Sequence, residues 1–181
     1  LSREFAHTRR KNLLLRDLDE LVNQQLSKML FANPQRIDYY DRYQEIIDAY
    51  NAEQNRATIE KTFMDLMELA SSLDTEQQRY VREGFSSDEE LSVYDLLFSE
   101  NLTKQEIETI KKVSVDLLTK IKQQIAKLDH WTDKQETKAI VDNLIRNTLW
   151  QELPNSYDVN DIQTYQKKIY EYVYMRYPEV A

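Results

Sequence analysis

At 181 residues and 21.7 kDa the chain is long enough to bury a sizeable core, and 24 Lys and Arg against 32 Asp and Glu leave a formal charge of −8. One glycine (Gly84) and three prolines exclude phosphate-cradling loops and are too few turn residues for a sheet-rich fold, while 41% apolar content excludes a disordered chain. The absence of cysteine excludes disulfide frameworks, thiolate catalysis and Cys-ligated metals and fits a reducing, cytoplasmic setting; no apolar run approaches the roughly 20 residues of a membrane span.

Hydrophobic spacing is helical almost throughout. Leu15, Leu18, Val22, Leu26 and Met29 form one stripe, which stops at Asn33-Pro34 because proline disfavours helix in the residue before it. Tyr39, Tyr43, Ile46, Ile47 and Tyr50 form a second, and Ile59, Phe63, Leu66, Met67 and Ala70 a third. The register slips at Gln54 and Lys61, so the helix breaks between Asn51 and Ala57.

Four pairs further on have capping-box spacing: Asp74 with Gln77, Ser87 with Glu90, Thr103 with Glu106, and Thr132 with Gln135. Thr103 introduces Ile107, Ile110, Ser114, Leu117, Leu118, Ile121, Ile125 and Leu128, and Thr132 introduces Ile140, Val141, Leu144, Ile145, Thr148 and Leu149. Pro154 to Asp158 reads as a loop, and Asn160 as the cap of a last helix that reaches about Arg176 before Pro178. The expectation is an all-α fold of about eight helices in an irregular bundle without a sheet. It forms a single domain over 1–181, with a possible sub-boundary near 84–88.

No catalytic constellation emerges. His7 and His130 lack partners at ligand or general-base spacing and read as surface or helix-end residues. Asp129, Glu136 and Lys138 imitate the order of nuclease metal residues, but positions two apart on a helix diverge by about 200°. Asp88, Glu89 and Glu90 suit the first turn of a helix, where acids complement the dipole.

Charge is uneven. Residues 1–16 carry five bases against Glu4, and residues 74–108 carry ten acids against Arg79, Arg82 and Lys104. Arg9, Arg10 and Lys11, Arg36, and Lys167 with Lys168 are the candidate phosphate contacts. Half of the twelve tyrosines lie in the last 25 residues. Ile162, Tyr165, Ile169 and Val173 make a core face there, and Tyr170, Tyr174 and Tyr177 a second face suited to a partner or to the centre of a bundle.

Residues Asn33-Pro34-Gln35-Arg36-Ile37-Asp38-Tyr39-Tyr40, Tyr43-Gln44-Glu45-Ile46-Ile47 and Tyr50-Asn51 resemble the segment after the motor domains in restriction subunits of type I restriction–modification enzymes. Thr58-Ile59-Glu60 with Phe63, Glu89-Glu90-Leu91 with Tyr94-Asp95-Leu96-Leu97, Asn101-Leu102-Thr103-Lys104 and Leu128-Asp129-His130-Trp131-Thr132 extend the resemblance over nearly the whole chain. It implies the helical C-terminal domain of an ATP- and Mg²⁺-dependent DNA translocase and endonuclease, and the chain, which opens on Leu1, is expected to be a piece of that subunit. The family's nuclease and ATP-binding motifs do not fall in these residues, so no catalytic, cofactor-binding or metal residue carries over. The implied partners are the methyltransferase and specificity subunits and double-stranded DNA held weakly and without sequence preference, with no membrane. A stand-alone helical adaptor acting through its tyrosines is the alternative, and a carboxylate metal enzyme in a helical bundle a distant third, since the histidines for it are missing.

Overall fold

The computed structural model describes residues 11–53 and 55–178. Among these residues the fold is all-α, with eight α-helices, one 3₁₀ turn and no strand. The chain divides into two compact units, Leu1–Gly84 and Phe85–Ala181.

Unit 1 is built on three long helices: α1 (Lys11–Ala32), α2 (Ile37–Ala52) and α3 (Arg56–Gln77). Asn33 ends α1 because Pro34 cannot continue it. The Asn33 side chain accepts the Gln35 N–H at 3.1 Å and opens the 3₁₀ turn Pro34–Arg36. Asn55 caps α3 by accepting the Thr58 N–H at 2.9 Å, which places the break between α2 and α3 inside the span expected from the register slip. The buried core joins the α1 stripe Leu15, Leu18, Val22, Leu26 and Met29 to Phe63, Leu66, Leu69 and Leu73 of α3 and to Tyr43 of α2. The Tyr43 hydroxyl donates to Asp19 at 2.7 Å; burial and the Asp19 carboxylate push it well above the usual phenol range.

One expected cap is absent. Asp74 lies inside α3, because Leu73 and Glu76 are buried and prolong the stripe to Gln77; its side chain accepts from Gln25 of α1 instead. A short helix, α4 (Arg79–Arg82), follows and ends at Gly84. Gly84 has φ +84°, a left-handed conformation that side chains with a Cβ rarely adopt, although a Cβ there would meet nothing within 4 Å.

Unit 2 comprises α5 (Asp88–Leu97), α6 (Lys104–Ile125), α7 (Gln135–Glu152) and α8 (Val159–Arg176). Successive helices pack on one another and α8 returns to α5, closing a four-helix ring. Ser87 caps α5 through the Glu90 N–H at 3.3 Å, but the Glu90 carboxylate reaches back to the Ser86 N–H rather than that of Ser87. Thr103 and Glu106 form a full reciprocal box. The Ser114 hydroxyl, buried in the α6 stripe, is satisfied by the Ile110 carbonyl at 2.7 Å.

The two later caps differ from expectation. Thr132 lies in the turn before α7, whose N-cap is Lys134 without a side-chain bond. The last helix is capped by Asp158, in reciprocal pairing with Asp161, while Asn160 already lies within the helix. A carboxylate accepting two N–H groups at once outcompetes an amide two residues on.

Candidate functional site

The α6–α7 turn and helix α8 together build an aromatic cluster in unit 2. Trp131 is buried, and its indole N–H donates to the Tyr177 carbonyl at 2.6 Å, so the turn is tied to the end of α8. Tyr170 and Tyr174, one helical turn apart, stand nearly perpendicular to the indole at 6.1 and 5.7 Å and stack on each other at 6.1 Å. The Lys138 ammonium of α7 lies 5.8 Å from the centre of the Tyr174 ring. Tyr174 remains 39% exposed and Tyr170 half-buried, which leaves a partly wet aromatic surface with a cation at its edge. Burial, then the nearby Asp142 carboxylate and Tyr174, raise the Tyr170 hydroxyl above its ordinary pKa, so it remains a donor at neutral pH.

Tyr177 leaves that face. Its ring is buried against Tyr172 at 6.3 Å, edge to face, with the Lys122 ammonium 5.2 Å from its centre. Having ended α8, the chain turns inward so that the Tyr177 carbonyl meets Trp131, and the ring follows. Burial first, then Tyr172 and Glu89, push its hydroxyl far up. Glu89, in the first turn of α5, is ion-paired to Lys122. Burial works against its charge, but Lys122, with Tyr177 and Arg176 beside it, outweighs burial and holds the carboxyl below its ordinary value.

The basic candidates fall in different surroundings. Arg9 and Arg10 lie outside the described residues. Lys11 pairs with Glu60 of α3 and is largely covered. Arg36 is interior: its side chain is 3% exposed, and its Nε donates to the Glu76 carboxylate, itself 9% exposed, at 3.0 Å. Arg79 Nε donates to the same oxygen at 2.8 Å, so two guanidiniums hold one buried carboxylate. Lys167 and Lys168 are exposed on α8. Lys167 stands 3.9 Å from Glu171, and the Lys168 ammonium lies 5.5 Å from the centre of the Tyr165 ring. In α7, Glu136 and Lys138 do not converge: Glu136 is exposed in the first turn and Lys138 turns toward Tyr174.

Sequence reasoning missed Trp131 as the anchor of the cluster, because a lone Trp in a turn carries no periodicity. It also missed Trp150, 58% exposed on α7 one turn beyond Arg146. The signal for it was present, since Trp150 falls outside the buried positions Val141, Ile145 and Leu149.

The family described as type I restriction enzyme HindI endonuclease subunit-like, C-terminal, matches residues 1–177. No curated protein matches, and no solved structure does. With all but the last four residues matched, the chain belongs to the family of C-terminal regions of HindI-like type I restriction enzyme endonuclease subunits.

Proposed function

We propose that this region is a noncatalytic, helical C-terminal domain of the motor subunit that docks the subunit onto the methyltransferase–specificity core and guides DNA along the complex. The observation that carries the reading is the exposed edge of the aromatic cluster, Tyr170 and Tyr174 with Lys138. Tyrosines fixed by stacking give contact area at little entropic cost, and a half-wet aromatic face with a polar rim is the composition of a protein interface. Lys167 and Lys168, exposed on the same helix, with Arg9 and Arg10 at the start of the chain, supply cations for contacts to the DNA backbone, which position a duplex without reading its sequence. ATP and Mg²⁺ chemistry then belongs to the rest of the subunit, and the setting is cytoplasmic. Among the described residues no helix is long and apolar enough to cross a membrane.

The test is co-elution of the endonuclease subunit with its methyltransferase and specificity subunits. Tyr170→Ser with Tyr174→Ser should release the endonuclease subunit from the core while its helical content stays intact. Undiminished co-elution of the double variant would refute docking through this face.

A further inference from the structure

Trp150 stands 58% exposed on α7, on the side of the helix away from the buried Ile145. Asn143, Arg146 and Asn147 lie within about 60° of it around the helix axis, and all three are exposed. A single apolar residue in water is ordinary on a protein surface. What sets Trp150 apart is the charge beside it.

Arg146 Nη2 donates to Asn143 Oδ1 at 2.9 Å, so a neutral amide orients the guanidinium, and among the described residues no carboxylate pairs with it. Exposed cations on other helices do pair: Arg42 with Glu68 at 2.9 Å, Arg56 with Glu60 at 3.2 Å and Lys61 with Asp65 at 3.7 Å. Between Ala139 and Gln151 the one acid is Asp142, whose carboxylate accepts from Gln166 of α8 at 2.8 Å. Glu152, just beyond, pairs with Lys120 of α6. In a chain of net charge −8, this strip of α7 therefore presents an oriented, uncompensated cation one helical turn from an open aromatic ring.

We propose that this strip takes an unpaired stretch of DNA, with a base stacked on the Trp150 indole and a phosphate on Arg146. The inference rests on the proposed role of this region in guiding DNA, and adds to it a contact with bases apart from Lys167 and Lys168. Positions 146 and 150 are one turn, about 6 Å, apart along the axis, which matches the reach from a base to its own phosphate. Asn143 and Asn147 border the ring with amides, groups that bond to base edges. A paired base has its faces covered by its neighbours in the stack, whereas an unpaired one offers a face to the indole whatever its identity. A tryptophan that anchors a protein partner is ringed by further contacts that exclude water. Here the ring is bordered by amides and a cation, and Ile140, the other large apolar side chain exposed on α7, stands about 15 Å away along the axis.

The test compares a thymidine oligomer of about 12 nucleotides with a duplex of the same length, each fluorescently labelled and titrated with the 181-residue chain at about 50 mM salt. Trp150→Ala should weaken binding of the single strand roughly tenfold, Trp150→Phe should weaken it less because a ring remains, and neither should change the duplex affinity. Arg146→Gln should lower the log–log salt slope for the single strand by about 0.7, the share of one phosphate. Both side chains are exposed, so the circular dichroism of the variants should match that of the parent chain. Unchanged single-strand affinity in Trp150→Ala, or an equal loss for strand and duplex, would overturn the proposal while the duplex contacts of Lys167 and Lys168 stand. A Trp150→Ala chain that holds the single strand normally but no longer co-elutes with the methyltransferase core would assign the face to a protein and overturn it as well. Failure to bind either strand or duplex would overturn both this inference and the role in guiding DNA.

Discussion

Arg36 and Glu76, forty residues apart, meet at 3.0 Å in the interior of unit 1. The pair locks the 3₁₀ turn after α1 to the last turn of α3, and Arg79 and the Tyr39 hydroxyl, 2.8 and 3.5 Å away, complete the shell of donors around the carboxylate. Glu76→Ala removes the carboxylate that faces the buried Arg36 charge and should cost about 3–5 kcal/mol, a large part of the stability of a small domain. Arg36→Ala should cost less, because Arg79 still holds the carboxylate. Urea unfolding followed by circular dichroism measures both, and equal losses would show that Arg79 contributes nothing to the pairing.

Loss of Tyr170 and Tyr174 should act on assembly more than on folding. Tyr174→Ser removes an exposed ring and should lower stability by about 1 kcal/mol or less, whereas Trp131→Ala empties a buried site and should cost about 3–5 kcal/mol. A large drop in melting temperature from Tyr174→Ser would place that ring in the core of the unit and not on its surface.

DNA binding by the isolated chain should be weak, with a Kd on the order of 10⁻⁴–10⁻⁶ M at physiological salt, and should fall with a log–log slope of about −0.9 per phosphate neutralised. Reversing the charge at Lys167 and Lys168, or at Arg9 and Arg10, should flatten that slope. Arg36→Ala should leave the slope unchanged, since its charge is already spent on Glu76. Fluorescence anisotropy with a short duplex at several salt concentrations separates these outcomes.

Acid should loosen unit 2 through Glu89. Its pKa is held below the unfolded value, so the stabilisation is present above the unfolded carboxylate pKa and is lost as pH falls through the folded one. The pair is about one-third exposed, so solvent screening limits the effect to roughly 0.5–1 kcal/mol. Glu89→Gln should therefore lower stability at pH 7 and make progressively less difference as the pH is lowered toward 3. A constant difference between the two proteins across that range would show that the charge on Glu89 is not what matters.

Gly84→Ala should destabilise the chain by about 1–2 kcal/mol without any clash, because the cost lies in the left-handed backbone and not in space. Gly84→Asn should cost less, since asparagine tolerates that conformation better. Calorimetric melts of the two variants rank them.

The helices were legible because their stripes are long and the chain interrupts them with Asn33-Pro34 and with the polar run at 51–57. Caps were legible only where no buried position continued past them. Thr103 stands at the start of a stripe and caps α6, whereas Asp74 matches the same spacing but is overridden by Leu73 and Glu76, whose burial keeps α3 helical. Arg36 illustrates a different limit. In the sequence it is a candidate phosphate contact, and the carboxylate that draws it inward stands forty residues away, a separation that no periodicity reveals. Tyr170 and Tyr174 were legible as a second face of α8, but Trp131, which fixes their orientation, comes from a turn, and turns carry no repeating pattern.

The chain's two tryptophans report opposite environments within unit 2. Trp131, sealed off and with its N–H bonded to a carbonyl, should emit toward the blue and resist acrylamide, while Trp150, open to water, should emit toward the red and be quenched freely. Unit 1 has no tryptophan, so intrinsic emission follows the melting of unit 2 alone while far-ultraviolet ellipticity follows both. A mismatch between the two melting curves would then show the halves of the molecule unfolding separately, and a partner settling over α7 would dim only the accessible half of the signal.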